Sequence, residues 1–137
     1  MCVSGSIISS MNLKVLPKDS VICSCSARLG VCAIVKAILI TNQTFIGLVP
    51  NGGIVNEFLF YILSYNAKRL NDLSSGTTIS YLSRSEFEKF EIPVPSLLEQ
   101  KRIADLLSKL DNQIETNKLI LENYVKFKKG LMQKIFL

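Results

Sequence analysis

The period of the apolar positions changes along this chain, and each change marks a different kind of structure. In the first fifty residues the apolar side chains fall in short β-branched runs. These are Val21 to Cys25, Val31 to Lys36 and Thr44 to Val49, separated by Gly30 and by the polar Thr41-Asn42-Gln43. They predict short strands in a small, largely antiparallel or mixed sheet, ended by the turn cluster Pro50-Asn51-Gly52-Gly53. From Asn56 the spacing becomes helical, with Phe58, Leu59, Ile62, Leu63 and Leu70 on one face. That predicts a helix to about Leu73, with Asn56 positioned to cap it. A hydroxyl-rich loop, Ser74-Ser75-Gly76-Thr77-Thr78, separates it from a short helix running through Phe90, announced by the capping-box spacing of Ser83 and Glu86. Ile92-Pro93-Val94-Pro95 then reads as an extended strut, because each proline disfavours helical geometry in the residue before it.

The strongest pattern begins at Ser96, which with Glu99 repeats the capping-box spacing; no further proline or glycine follows until Gly130. One helix is predicted from Leu97 to about Phe136. Along it Ile103, Leu107, Leu110, Ile114, Asn117, Leu121, Tyr124, Lys128, Leu131 and Ile135 alternate spacings of four and three, the seam of a coiled coil. At 1.5 Å per residue the rod is roughly 60 Å long, more than a small preceding unit can cover, so it calls for another helix. Asn117 and Lys128 are polar seam positions. Asn117 either sets register or sits at a wet edge, whereas the Lys128 stem can lie along the seam with its charge in water. The expected architecture is α+β: a small twisted mixed β-sheet unit with helices over residues 1–95, followed by a long C-terminal coiled-coil helix over 96–137.

Composition adjusts this picture only modestly. The 137 residues carry 16 Lys and Arg against 11 Asp and Glu, a net charge of +5 that suits a polyanionic partner without demanding one. Neither half is a basic arm, since residues 1–96 hold eight basic and six acidic groups and residues 97–137 hold eight and five. The most apolar stretch, Val31 to Ile40, is ten residues long and interrupted by Lys36, short of the roughly 18 a membrane span needs. With no secretion-signal pattern at the N-terminus, a cytoplasmic location is expected. Cys2, Cys23, Cys25 and Cys32 lack the paired spacing of zinc ligands and the chain has no His, so the strand cysteines read as small apolar side chains in a reducing compartment. No cofactor or metal is expected.

The segment Phe90-Glu91-Ile92-Pro93-Val94-Pro95-Ser96-Leu97-Leu98-Glu99-Gln100-Lys101-Arg102-Ile103-Ala104-Asp105-Leu106-Leu107-Ser108-Lys109-Leu110-Asp111 resembles the spacer entry of type I restriction-modification specificity subunits. Upstream, Leu16 to Ile22, Leu29-Gly30, Thr41-Asn42-Gln43, Glu57-Phe58-Leu59 and Ser75 to Thr78 follow the order of that family's target-recognition domain. The resemblance covers about residues 6 to 137. It departs from the family in lacking the early N-terminal piece of the recognition domain and in having one repeat where full-length subunits have two. The resemblance implies a non-catalytic binder of double-stranded DNA that directs chemistry done by an adenine methyltransferase subunit and a restriction/translocase subunit, with two recognition domains reading the half-sites of a split DNA sequence and two antiparallel spacer helices setting the distance between them. The residues agree: none forms a phosphate-cradling glycine loop or a methyltransferase Asn-Pro-Pro-aromatic motif.

Polar side chains at base edges read sequence, while cations on phosphates hold position. On that basis Arg28 is a candidate for a guanine edge or a phosphate, or is a solvated surface charge. Asn42 and Gln43 can pair with adenine or simply form a turn. Ser75, Gly76, Thr77 and Thr78 can bring backbone N–H groups to a phosphate, with turn formation the competing account. Lys68, Arg69 and Arg84 flank that loop and can supply the electrostatic term, or belong to solvated helix faces. Lys126, Lys128, Lys129 and Lys134 complement the dipole at the helix C-terminus. The seam of Ile103, Leu107, Leu110, Ile114, Asn117, Leu121, Tyr124, Leu131 and Ile135 is expected to form a homodimer or dock partner subunits. A competing reading is a coiled-coil adaptor, or a degenerate fragment that no longer binds DNA because missing strands leave its recognition face incomplete. An unrelated membrane-surface protein is disfavoured because basic and acidic groups alternate along the long helix.

Overall fold

The computed structural model describes residues 15–26, 28–74 and 81–136. Cys2 and the loop candidates Ser75, Gly76, Thr77 and Thr78 lie outside the described residues. Among the described residues there are five short strands: β1 (Val15–Leu16), β2 (Val21–Ser24), β3 (Cys32–Ile34), β4 (Leu39–Ile40) and β5 (Phe45–Leu48). They form a three-stranded sheet in the order β3-β2-β5 and a two-stranded β1-β4 pair, and every pairing is antiparallel. Among the described residues the sheets are thus antiparallel rather than mixed. Seven residues separate β2 and β3 in sequence, whereas parallel neighbours need a crossover of about a dozen or more. The three expected strands are all present but shorter than their apolar runs, and β1 and β4 carry too few residues to show a pattern.

β2 is the centre of the sheet. Its alternation buries Val21 and Cys23, continued by Cys25, while Ile22 and Ser24 are half-buried. The buried row packs with Leu29, Leu59, Leu63, Leu70, Leu82 and Phe87 into one core. Gly30 closes the β2–β3 connection at φ +76, and a Cβ there would lie 2.5 Å from the Ala67 Cα, so both its conformation and its packing require glycine.

The helix expected over Asn56 to Leu73 is two helices, α1 (Asn56–Tyr65) and α2 (Ala67–Asp72). Asn66 divides them. Its backbone leaves helical geometry at φ −89, ψ 11, and its buried side chain donates to the Ile62 carbonyl at 2.7 Å and accepts from Arg69 Nη1 at 2.9 Å. A short polar side chain that bonds the neighbouring backbone competes with the helical ladder in this way. Asn56 does not cap α1; Val55 holds the N-cap position, without a side-chain cap bond. The Ser83–Glu86 capping box forms as expected, with Glu86 N donating to Ser83 Oγ at 3.2 Å and Ser83 N to Glu86 Oε2 at 2.8 Å. It starts a single turn, α3 (Arg84–Phe87), shorter than the helix expected through Phe90.

The rod is α4 (Leu97–Phe136), a helix of 40 residues. Ser96 Oγ accepts from Glu99 N at 3.4 Å at its start. Among the described residues the first turns are the covered part of α4, which packs against α1: Gln100 and Ala104 are buried, and Ile103, Leu107 and Ser108 are half-buried. Two residues assigned to an intermolecular seam, Ile103 and Leu107, are thus partly covered within the chain. From Leu110 to Phe136 every residue except Gly130 is exposed, including Ile114, Asn117, Leu121, Tyr124, Leu131 and Ile135. None of the described helices is long and apolar enough to cross a membrane.

Candidate nucleic-acid interface

The turn before β5 and the start of α3 enclose a cleft of about 360 Å³ that brings Asn42, Gln43 and Arg84 together. Leu16, Ile46 and Leu82 line its apolar floor, and Phe45 and Tyr81 stand at it as exposed aromatic side chains. The Asn42-Gln43 pair and Arg84, about forty residues apart in sequence, converge because Ser26, just beyond β2, bridges to Tyr81, and Leu82 N donates to the Cys25 carbonyl at 3.0 Å. This pins the segment leading into α3 beside the edge where the Asn42 turn sits.

Each polar member has a defined state. The Asn42 side-chain oxygen accepts from Thr44 N at 3.0 Å and from the Thr44 hydroxyl, so it builds the turn. Its amide nitrogen takes no part in those bonds. Gln43 is exposed beside it. The Arg84 Nε donates to Glu88 Oε1 at 2.8 Å in a pair whose side chains are 67% and 62% exposed. Such a surface pair is worth little, and a phosphate can displace the carboxylate. Arg28 is exposed two residues beyond Ser26, at the same end of the sheet.

Lys68 and Arg69 do not join this cleft. Lys68 is exposed on α2, and the Arg69 guanidinium lies 5.1 Å from the Phe90 ring centroid while bonding Asn66. Arg69 lines a separate cleft with Asp72, Lys89 and Glu91, so its first role is to hold α2 against the segment before the strut. Sequence reasoning passed over Phe45 and Tyr81; for Tyr81 the signal available was an aromatic residue just beyond the hydroxyl-rich loop, and Phe45 follows the Asn42 turn.

Cys23 and Cys25 are buried in the core, and Cys32 packs half-buried against it. Cys23 and Cys32 are direct partners across β2 and β3, and Cys25 is buried beside them. Hydrogen bonding between the Cys23 and Cys32 thiols pulls Cys32 below the usual thiol range and pushes Cys23 well above it. Burial, then the neighbouring Cys23, pushes Cys25 up to about 11. Among the described residues no group of His, Cys, Asp and Glu is placed to hold a metal ion.

Sequence reasoning also missed Gln100, quoted above only as part of the spacer-entry pattern. Its side chain is 1% exposed. Oε1 accepts from Val55 N at 2.9 Å, and Nε2 donates to the Pro95 carbonyl at 2.9 Å and to the Gly53 carbonyl at 3.1 Å. Further along α4, the Tyr61 hydroxyl donates to Asp111 Oδ2 at 2.7 Å and lies 3.3 Å from Ser108 Oγ. Burial, and the Asp111 carboxylate that the phenol bonds, raise the Tyr61 pKa.

A β-sheet unit with a polar cleft thus stands on a helical rod that is exposed from Leu110 onward. Residues 3–124 match the type I restriction modification DNA specificity domain, and the chain belongs to that family. It is 35% identical over 118 residues to the type I restriction enzyme MjaIX specificity subunit of Methanocaldococcus jannaschii, an alignment covering 85% of this chain and 27% of that protein. It is 32% identical over 82 residues to the EcoDI specificity subunit of Escherichia coli, covering 60% of this chain and 18% of that one. The fold matches the crystal structure of a type I restriction-modification S subunit from M. genitalium with a TM-score of 0.64 at 23% identity, over 76% of this chain and 28% of that one. The HsdS subunit from Thermoanaerobacter tengcongensis matches with a TM-score of 0.64 at 22% identity, over 75% and 24%. The chain spans about a quarter of the MjaIX subunit's length.

Proposed function

We propose that this chain is a DNA-recognition element of a type I restriction-modification enzyme, without catalytic chemistry of its own. The observation that carries the reading is the span of the family match, which runs from the sheet through most of α4 and so includes both the cleft and the rod. In this reading residues 1–95 bind double-stranded DNA. Asn42, Gln43 and Tyr81 address bases or sugars, Arg28 and Arg84 address phosphates, and the 75–78 loop, with Lys68 more distantly, adds to the grip. Residues 96–137 form the spacer, which pairs with a second copy of the chain and docks an adenine methyltransferase subunit and a restriction/translocase subunit in the cytoplasm. Exposure of Leu110, Ile114, Leu121, Tyr124, Leu131 and Ile135 along a single helix supports that assembly role, because an apolar stripe of this length in water is a liability until covered.

The test is binding of random-sequence duplex DNA across a salt series. Affinity should fall steeply from low to moderate salt as phosphate contacts release counterions. Binding that is absent at every salt concentration, or indifferent to salt, would favour the adaptor reading. Purified chain should turn over neither a methyl donor, nor DNA phosphodiesters, nor ATP.

A further inference from the structure

We infer that Gln100 is the positioning residue that locks the angle between the sheet unit and the spacer helix, with the Tyr61–Asp111 bond as its second pin. The consequence for DNA drawn below rests on the proposed function; the lock itself does not. An amide has one acceptor oxygen and two donor hydrogens, and Gln100 uses all three groups across the junction. Its acceptor takes the N–H at the start of α1, the position that a glutamate three residues into the same helix fills in a capping box. Here the cap comes from another helix, 45 residues away in sequence. Its donors hold the last carbonyl of the proline strut and the carbonyl that closes the Pro50–Gly53 turn. One side chain therefore ties the turn, α1, the strut and α4 together.

Ala104, one turn later on the same face, is buried and lets α4 approach α1 closely. The second pin lies eleven residues beyond Gln100, roughly 16 Å along the helix. Two fixed points define a direction, whereas a single packed contact leaves a hinge. Beyond Asp111 the helix runs free for about 37 Å, so a tilt of about 10° at the junction moves its end by about 6 Å. That is near two base pairs at about 3.4 Å each. A specificity element whose rod sets the distance between two DNA half-sites needs that tilt suppressed, and a buried, fully bonded amide suppresses it.

The experiment places nitroxides at Lys36 and Lys126 of the full chain through unnatural amino acids, spin-diluted in unlabelled protein, and measures their distance distribution by pulsed EPR. Gln100→Leu, close in volume, removes all three bonds; Lys126 lies about 22 Å beyond Asp111, so its distribution should broaden by about 4 Å for the same tilt, with circular dichroism unchanged. If Gln100→Leu does not fold, Gln100→Glu, which keeps the acceptor and loses both donors, should broaden it likewise, and Tyr61→Phe less. A folded Gln100→Leu or Gln100→Glu variant with a distribution as narrow as the unmodified protein overturns the lock. In parallel, duplexes selected from a randomised pool by the unmodified protein are rebuilt with the gap between half-sites changed by one or two base pairs. The unmodified protein should discriminate among them, and discrimination should fall toward unity in the variant while affinity for a single half-site persists. Broadening without DNA binding by either protein supports the lock and removes the DNA reading instead.

Discussion

Arg84 and Arg28 stand at the same end of the sheet, and neither is committed to a buried partner. Changing either to alanine should weaken duplex binding and lower the slope of log affinity against log salt by about 1, without altering the melting temperature. Fluorescence anisotropy across a salt series measures both quantities, and an unchanged slope would remove that arginine from the interface. The cysteines allow an independent check at the same scale. Cys32 is half-buried with a lowered pKa, while Cys25 is buried with its thiol pushed up to about 11. The thiolate is the reactive form, so iodoacetamide near neutral pH should modify Cys32 well before Cys25. Peptide mass spectrometry gives the order, and preferential labelling of Cys25 would contradict the packing of β2.

Among the elements, the contact between the β2–β3 connection and α2 is the least tolerant. Gly30→Ala places a Cβ 2.5 Å from the Ala67 Cα on a backbone with positive φ, so the hairpin or α2 must shift. A cost of roughly 2 kcal/mol or more is expected, read from the urea midpoint. Local patterns explain much of what formed at this scale. The β-branched runs became β2, β3 and β5, and the Ser83 box began α3. The break at Asn66 was not legible, because Ile62, Leu63 and Leu70 keep helical spacing across it. Only the burial of the Asn66 side chain, where it must bond the Ile62 carbonyl and Arg69, makes the kink preferable to a straight helix.

At the scale of the whole molecule, α4 carries its apolar residues into solvent for most of its length. A second copy would supply the missing helix, and a two-fold axis would make one surface complementary to itself. Antiparallel pairing would then send the two sheet units to opposite ends, as a split DNA target requires. The Leu110→Asp, Leu121→Asp double variant should place unpaired charge in that seam and run as a monomer in light scattering at micromolar concentration. A monomeric unmodified protein under the same conditions, or an intermolecular distance placing the two copies of Gln133 side by side, would exclude the antiparallel dimer. The sequence by itself determined the elements whose pattern is local: the strand runs, the Ser83–Glu86 capping box, the proline strut and a 40-residue helix with a heptad pattern, found from Leu97 to Phe136. Tertiary structure alone decided how they join. Gln100 reaches Val55 across 45 residues and Tyr61 reaches Asp111 across 50, and the Ser26–Tyr81 bridge assembles the cleft around Asn42, Gln43 and Arg84. Periodicity records which face of an element is apolar; it carries no term for a single polar side chain that must find its partner on a distant element once water is excluded.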